Sequence, residues 1–291
     1  MRPVPVAAAR SCVMSGKRVT VPEILAAKGN RKLAVMTAYD YASARIADEA
    51  GMDVLLVGDS LAMVVLGHDD TLSVTMDEML HHTKAVARGT NHALVVGDMP
   101  FLSYQVSVPE AVRNAGRFLK EGRAQAVKIE GGRETAPQIR AMVDAGIPVM
   151  GHVGLRPQQV ARLGGFKVQS KTAAEAAHLL EDARIVAEAG CFAVVLEAIP
   201  ARVAQVVTRE LPVPTIGIGA GRDCDGQVLV YHDVLGLFDR FTPRFVKNFA
   251  QLGTASREAL ARYAAEVREG RFPGPEHEFS IDDDEFKRFA G

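Results

Sequence analysis

Charge of one sign is what this chain most lacks. Its 34 Lys and Arg stand against 35 Asp and Glu, a formal net charge of -1. That balance gives no electrostatic footprint for nucleic acid or for an anionic membrane. Long apolar runs are missing too, since no stretch approaches the ~20 residues that cross a bilayer. The N-terminus carries Arg2, Arg10, Lys17 and Arg18. It has no continuous apolar segment or cleavage pattern, so no secretory signal is expected. The three cysteines, Cys12, Cys191 and Cys224, form no spaced metal or disulfide framework. Reduced thiols in the cytoplasm are the expectation. What remains is 291 residues, 48% hydrophobic, enough for one large core of the barrel type.

The most informative stretch is Ala126-Val127-Lys128-Ile129-Glu130, followed by Gly131 and Gly132. It reads as a buried strand ending on charge. Strand side chains alternate, so Lys128 and Glu130 share one face while Val127 and Ile129 take the other. Burying either charge without a partner costs several kcal/mol, roughly. A structural ion pair could explain one such strand, but the design recurs. Apolar runs end in an acid at Asp59, Asp98 and Glu197 as well.

Eight strand signals occur in order: 32–37, 53–57, 93–97, 126–130, 147–150, 193–197, 214–217 and 227–231. Helix signals separate nearly all of them. Thr75 with Glu78, Ser107 with Glu110, Thr135 with Gln138 and Thr172 with Glu175 have capping-box spacing. Alternating β and α units predict an α/β fold, and eight units predict a (β/α)8 TIM barrel; an open doubly wound sheet is the runner-up. The expected layout is a loose tail over 1–20, the barrel over 21–270 with a short N-terminal helix, and a C-terminal tail over 271–291. A last helical region is expected over about 243–269. Met63 to Leu66 is an apolar group in a loop, read as buried loop packing.

Barrel sites lie at the C-terminal ends of the strands. Asp40, Asp59, Asp98, Glu130, His152 and Glu197 all fall there. Several carboxylates at one mouth repel one another unless a cation intervenes. With no Cys or His pair, the ligand set is all oxygen, which suits a hard divalent ion, Mg²⁺ first. Such an ion polarises a carbonyl and stabilises an enolate. Lys128 could neutralise a substrate carboxylate or form a Schiff base, and a glutamate away from the metal could be a general base. Gly217-x-Gly219-x-Gly221 has the form of an anion-binding turn without a Rossmann context. His81-His82 reads as a partly exposed helix face, and Asp69-Asp70 as solvated loop charge.

At these same residues the sequence resembles the ketopantoate (3-methyl-2-oxobutanoate) hydroxymethyltransferase family. The blocks that carry the resemblance include Thr37-Ala-Tyr-Asp-Tyr41, Val57-Gly-Asp-Ser-Leu61, Gly97-Asp-Met-Pro-Phe101, Val127-Lys-Ile-Glu-Gly-Gly132, Gly151-His-Val-Gly-Leu155, Gly164-Gly-Phe-Lys-Val-Gln169, Leu196-Glu-Ala-Ile-Pro200 and Ile216-Gly-Ile-Gly-Ala-Gly221. The resemblance implies a (β/α)8 barrel and a Mg²⁺ site on Asp59, Asp98 and Glu130. It implies that 3-methyl-2-oxobutanoate lies against Asp59, Ser60, Asp98 and Lys128, with His152 as a further contact. Glu197 would be the base that removes the C3 proton. The enolate would attack the one-carbon unit of 5,10-methylenetetrahydrofolate, giving 2-dehydropantoate. A homo-oligomer, commonly a decamer, is implied too. Ala62 and Ser170 stand where glycine is usual, and Ala198-Ile199 replaces Cys-Val. A Mg²⁺-dependent lyase or mutase of the isocitrate lyase-like barrel group, a Schiff-base aldolase and a barrel kept as a scaffold are the alternatives.

Overall fold

The computed structural model describes residues 17–163, 165 and 167–291. Most of the expected 1–20 tail, with Cys12, lies outside these residues, as do Gly164 and Phe166. Eight parallel strands close into a barrel in sequence order, with β1 paired to β8. They are β1 (Leu33–Thr37), β2 (Val54–Val57), β3 (Leu94–Asp98), β4 (Ala126–Glu130), β5 (Val149–Gly154), β6 (Ala193–Glu197), β7 (Thr215–Ile218) and β8 (Gly226–Leu229). Helix α1 (Val21–Ala26) precedes the barrel. Between strands run α2 (Tyr41–Glu49), α3 (Leu61–Val64), α4 (Met76–Gly89), α5 (Val108–Lys120), α6 (Ala136–Asp144), α7 (Val160–Leu163), α8 (Ala173–Glu188) and α9 (Ala201–Glu210). After β8 come α10 (Tyr231–Val234), α11 (Leu252–Arg268) and α12 (Asp283–Ala290).

The alternation expected in the strands sorts the core into two shells. Leu33, Val35, Val54, Leu94, Val96, Ala126, Ala193, Val195 and Val228 fill the barrel interior in one cluster. Val57, Val95, Val127, Ile129, Val194 and Leu196 face outward and pack with the helices in a second. Fully burying each such aliphatic side chain contributes about 1.5–3 kcal/mol. Gly97 shows how tight the outer layer is, because a Cβ there would lie 2.3 Å from the Phe118 ring of α5.

Helix starts follow the sequence at Thr75 and Thr172, where hydroxyl and glutamate bond reciprocally with the backbone. Ser107 accepts from the Glu110 N–H without the reciprocal bond. Thr135 stands at the start of α6 but makes no side-chain cap, since its hydroxyl donates to the Gly132 carbonyl within a 3₁₀ turn. Strand β5 begins and ends later than expected. Pairing with β4 and β6 on both sides carries it through His152 to Gly154. The Met63–Leu66 group is not buried loop packing. Leu61 and Ala62 are buried in α3, while Val65 and Leu66 are 41% and 37% exposed. The last long helix starts at Leu252, not near 243. The Asp282–Asp284 run becomes a helix start: Asp282 accepts from the N–H groups of Asp284 and Glu285, and acids occupy a first turn that favours them.

A second polar knot ties the far end of the barrel. Buried Asp225 accepts from Lys28 Nζ at 2.8 Å, from the Gly29 N–H at 3.1 Å and from the Thr215 N–H at 2.9 Å. It joins α1 to the strands that close the ring.

Candidate active site

Parallel register places the strand-end charges beside one another. Asp98 pairs with Lys128 across β3 and β4, and Glu130 with His152 across β4 and β5. Lys128, Glu130 and His152 stand at inward-facing positions above the apolar barrel filling, with Ala126 below Lys128 and Met150 below His152. Asp59 follows β2 and meets Asp98 through its own N–H, 3.3 Å from Asp98 Oδ2. All five of these side chains are buried. Glu197 ends β6 with its side chain 15% exposed at the rim.

Lys128 is the hub. Its Nζ lies 2.7 Å from both oxygens of Asp98 and 3.9 Å from Glu130 Oε1. Gln158 links the other carboxylates, with Nε2 2.9 Å from Asp59 Oδ2 and its backbone N–H 3.1 Å from Glu130 Oε2. Ser60 is held by the Tyr39 hydroxyl at 2.9 Å. His152 stands between two glutamates, Nδ1 3.7 Å from Glu130 Oε1 and Nε2 3.2 Å from Glu197 Oε2. Neither ring nitrogen has an aligned hydrogen-bond partner.

Burial dominates the protonation of the cluster. It raises Asp59 to about 7, helped by Asp98 and opposed by Lys128. It pushes Glu130 well above the carboxylate range against Lys128's pull. It raises Glu197 to about 7, again against Lys128. Burial alone would lower Lys128, but Asp98, Glu130 and Asp59 outweigh it and hold the ammonium above its ordinary value. His152 is driven well below its usual range by burial, then by Lys128, so its ring is neutral.

A divalent ion fits this donor set. With all three ionised, Asp59, Asp98 and Glu130 would set three negative charges against the single positive charge of Lys128, leaving two for a dication to balance. Carboxylates raised by burial, with repulsion between Asp59, Asp98 and Glu130 adding to it, are the state that a hard cation relieves. As they stand, no three His, Cys, Asp or Glu side chains among the described residues are arranged to hold a metal. The Lys128 ammonium and the Gln158 amide take up oxygens that an ion would share.

The sequence pattern of a family described as ketopantoate hydroxymethyltransferase matches residues 18–275. The chain belongs to that family, and it is an enzyme. The 3-methyl-2-oxobutanoate hydroxymethyltransferase of Syntrophobacter fumaroxidans is 68% identical over 274 residues, covering 94% of this chain and 97% of that one. The protein of the same name from Moorella thermoacetica is 60% identical over 263 residues, 90% of this chain and 98% of that one. Among solved structures, a phosphonopyruvate hydrolase in complex with oxalate and Mg++ aligns at TM-score 0.58 and 15% identity, covering 93% of this chain and 97% of that one. A 2,3-dimethylmalate lyase of the phosphoenolpyruvate mutase/isocitrate lyase superfamily aligns at TM-score 0.54 and 16% identity, covering 93% and 94%. Identities this low speak to the fold alone.

The hydroxymethyltransferase family's blocks divide between one shared mouth and the framework in this chain. Asp59, Ser60, Asp98, Lys128, Glu130, His152 and Glu197 meet at one mouth. Asp40 does not join them; it is an exposed N-cap of α2, accepting from the Ser43 N–H at 2.7 Å. The Gly217–Gly221 turn has a packing reason for its glycines. A Cβ at Gly219 would lie 2.7 Å from Phe245, and one at Gly221 2.5 Å from Ala201. His82 turns Nδ1 to the Tyr39 carbonyl at 2.6 Å, while His81 stays exposed. Asp69 is solvated beside Arg240, and Asp70 accepts from the Leu72 N–H. Of the departures from the family, buried Ala62 sits in ordinary helix. Ser170, with φ +59, takes a left-handed backbone that glycine adopts freely. Ala198, with φ +48, does the same directly after Glu197. Sequence reading missed Gln158, which ties Asp59 to Glu130, and Tyr104, whose hydroxyl holds the Glu130 backbone and the Gln158 amide.

Proposed function

We propose that this enzyme moves a hydroxymethyl group from 5,10-methylenetetrahydrofolate to 3-methyl-2-oxobutanoate, giving 2-dehydropantoate. The observation that carries the reading is a carboxylate with no cationic partner among the described residues, Glu197, 3.2 Å from the neutral His152 ring, at the same mouth as the buried Lys128 ammonium. Relatives that share most of the chain carry this substrate in their name.

The 2-oxo acid would lie between Ser60 and Lys128, its negative oxygens facing the ammonium. Glu197 would take the C3 proton; a base whose pKa lies near the working pH combines availability with driving force. Negative charge would then develop on the keto oxygen, which the Lys128 ammonium would offset. Preorganised charge of this kind needs no rearrangement as the reaction proceeds. Water would cleave the two C–N bonds of the methylene bridge and supply its oxygen, releasing tetrahydrofolate; the carbon nucleophile would attack the freed one-carbon unit, whose oxygen would take the proton held by Glu197. Neutral His152, with both ring nitrogens free, would face the substrate beside Glu197. Asp59, Asp98 and Glu130 would hold Mg²⁺. Bound there, the ion would supply Lewis-acid polarisation of the 2-oxo acid. Exposed Leu260, Phe279 and Phe289 on the C-terminal elements support the homo-oligomer, taken as a decamer. Free, buried Cys191 and Cys224 suit the cytoplasm.

The deciding experiment incubates the protein with 3-methyl-2-oxobutanoate and methylenetetrahydrofolate and follows 2-dehydropantoate, with and without EDTA. Formation that needs the folate and stops with EDTA is expected. No product under saturating metal and substrates would sink the reading.

A further inference from the structure

Gln158 stands in none of the roles above, yet it touches two of the three carboxylates. It lies in a 3₁₀ turn, Pro157–Gln159, just beyond β5, and is 4% exposed. A glutamine in a loop is ordinarily a solvated residue. Here every hydrogen-bonding position of its amide is taken. Nε2 donates to Asp59 Oδ2 and to the Met99 carbonyl, both at 2.9 Å. Oε1 accepts from the Tyr104 hydroxyl at 2.8 Å and from Gln105 Nε2 at 3.1 Å. Turning the amide over would set N–H against Gln105 Nε2 and carbonyl against Asp59 Oδ2 and the Met99 carbonyl, so three of the four contacts fix its orientation; the Tyr104 hydroxyl, also 3.0 Å from the Glu130 carbonyl, serves either way. The backbone N–H of the same residue donates to Glu130 Oε2 at 3.1 Å.

The consequence is specific to the carboxylates. Asp59 is fixed through Oδ2 and Glu130 through Oε2, which leaves Oδ1 and Oε1 for other ligands. Tyr104 strengthens the arrangement, since its hydroxyl also accepts from the Glu130 N–H at 3.1 Å. Outer partners that fix a ligand's orientation are worth about 10–100-fold in metal affinity.

We infer that Gln158 is a positioning residue for a divalent cation, setting the Asp59 and Glu130 carboxylates toward one ion from a single turn. The inference rests on the reading above that these carboxylates bind metal. The test measures Mn²⁺ binding by the electron paramagnetic resonance signal of the free ion, on the full chain. Wild-type protein that binds no Mn²⁺ would remove the metal reading itself. With wild-type binding in hand, Gln158→Met keeps the volume and removes the amide; its Mn²⁺ affinity is expected to fall about tenfold or more. Gln158→Asn keeps the amide but withdraws it from Asp59, and a similar loss is expected. Circular dichroism and thermal unfolding without metal should match wild type within a few degrees. A folded Gln158→Met protein with wild-type affinity overturns the inference. Should that variant not fold, exposed Gln105→Leu removes one of the two donors that hold Oε1. It should then cost about threefold in affinity, the scale of one hydrogen bond, and an unchanged value would overturn the inference equally.

Discussion

Lys128 points its ammonium at both oxygens of Asp98, 2.7 Å from each, from the neighbouring strand where the two residues stand in register. Neither partner is solvated, so each is the other's compensation. Removing one partner of a buried pair costs about 3–5 kcal/mol. Lys128→Met should therefore lower unfolding free energy by an amount on that order, read by urea denaturation. It should also abolish turnover. Because the lysine is held protonated, it is a poor nucleophile at neutral pH. Borohydride with a 2-oxo acid should leave no adduct on Lys128; a trapped adduct would favour Schiff-base chemistry.

Glu197→Gln should bind the 2-oxo acid as wild type does but exchange its C3 protons at least a hundredfold more slowly, roughly the worth of a general base. Deuterium exchange followed by NMR separates the two effects. In wild type the exchange rate should fall as the pH drops below about 7, because the protonated form of Glu197 cannot accept a proton. A bound cation draws that limb lower. Exchange in the glutamine variant at the wild-type rate would remove Glu197 from the mechanism.

Asp225 offers a test away from the chemistry. Burial would raise its pKa, but Lys28 and the N–H groups of Thr215 and Gly29 outweigh that and lower it. A carboxylate lowered on folding stabilises the native state above its unfolded pKa of about 3.9, and the benefit fades as pH falls through the folded value. Asp225→Asn should cost roughly 2 kcal/mol at pH 7, with the gap from wild type closing in strongly acidic buffer. Turnover per folded molecule should be unchanged, so a large fall in kcat would place Asp225 in the site.

Ser170→Gly should stabilise the protein. A side chain in the left-handed region costs about 1–2 kcal/mol, part of which glycine's greater unfolded freedom takes back. A gain of about 0.5–1 kcal/mol corresponds to roughly 1–4 °C in Tm for a chain of this size. Calorimetry showing a lower Tm would mean that the hydroxyl contributes something the backbone does not reveal.

The barrel and most of its mouth were legible because both rest on short-range pattern. Alternation put Lys128 and Glu130 on one face, and apolar runs stopping at Asp59, Asp98 and Glu197 marked strand ends. What escaped depends on contacts with no period. Gln158 meets Asp59 across 99 residues of chain, and nothing in its own neighbourhood separates it from a solvated loop glutamine. Asp40 shares the strand-end position of the other acids, yet the Ser43 N–H of α2 claims it first. Thr135 has the capping spacing, but a 3₁₀ turn takes its hydroxyl. The sequence puts the end of β5 too early because Gly151 and Gly154 look like punctuation; ladders to β4 and β6 keep Gly151 in the strand, and the β6 ladder carries it on to Gly154.

The seam where β1 meets β8, clamped beneath by Lys28 and Asp225, has a bearing on how the molecule is made. During synthesis the first strand waits with a bare edge until residues 226–229 have left the ribosome. For most of translation the half-built ring presents unpaired backbone to any strand nearby. Closure comes late on the chain's own timetable, with only α10 to α12 still to follow, and chaperone demand should peak just before it.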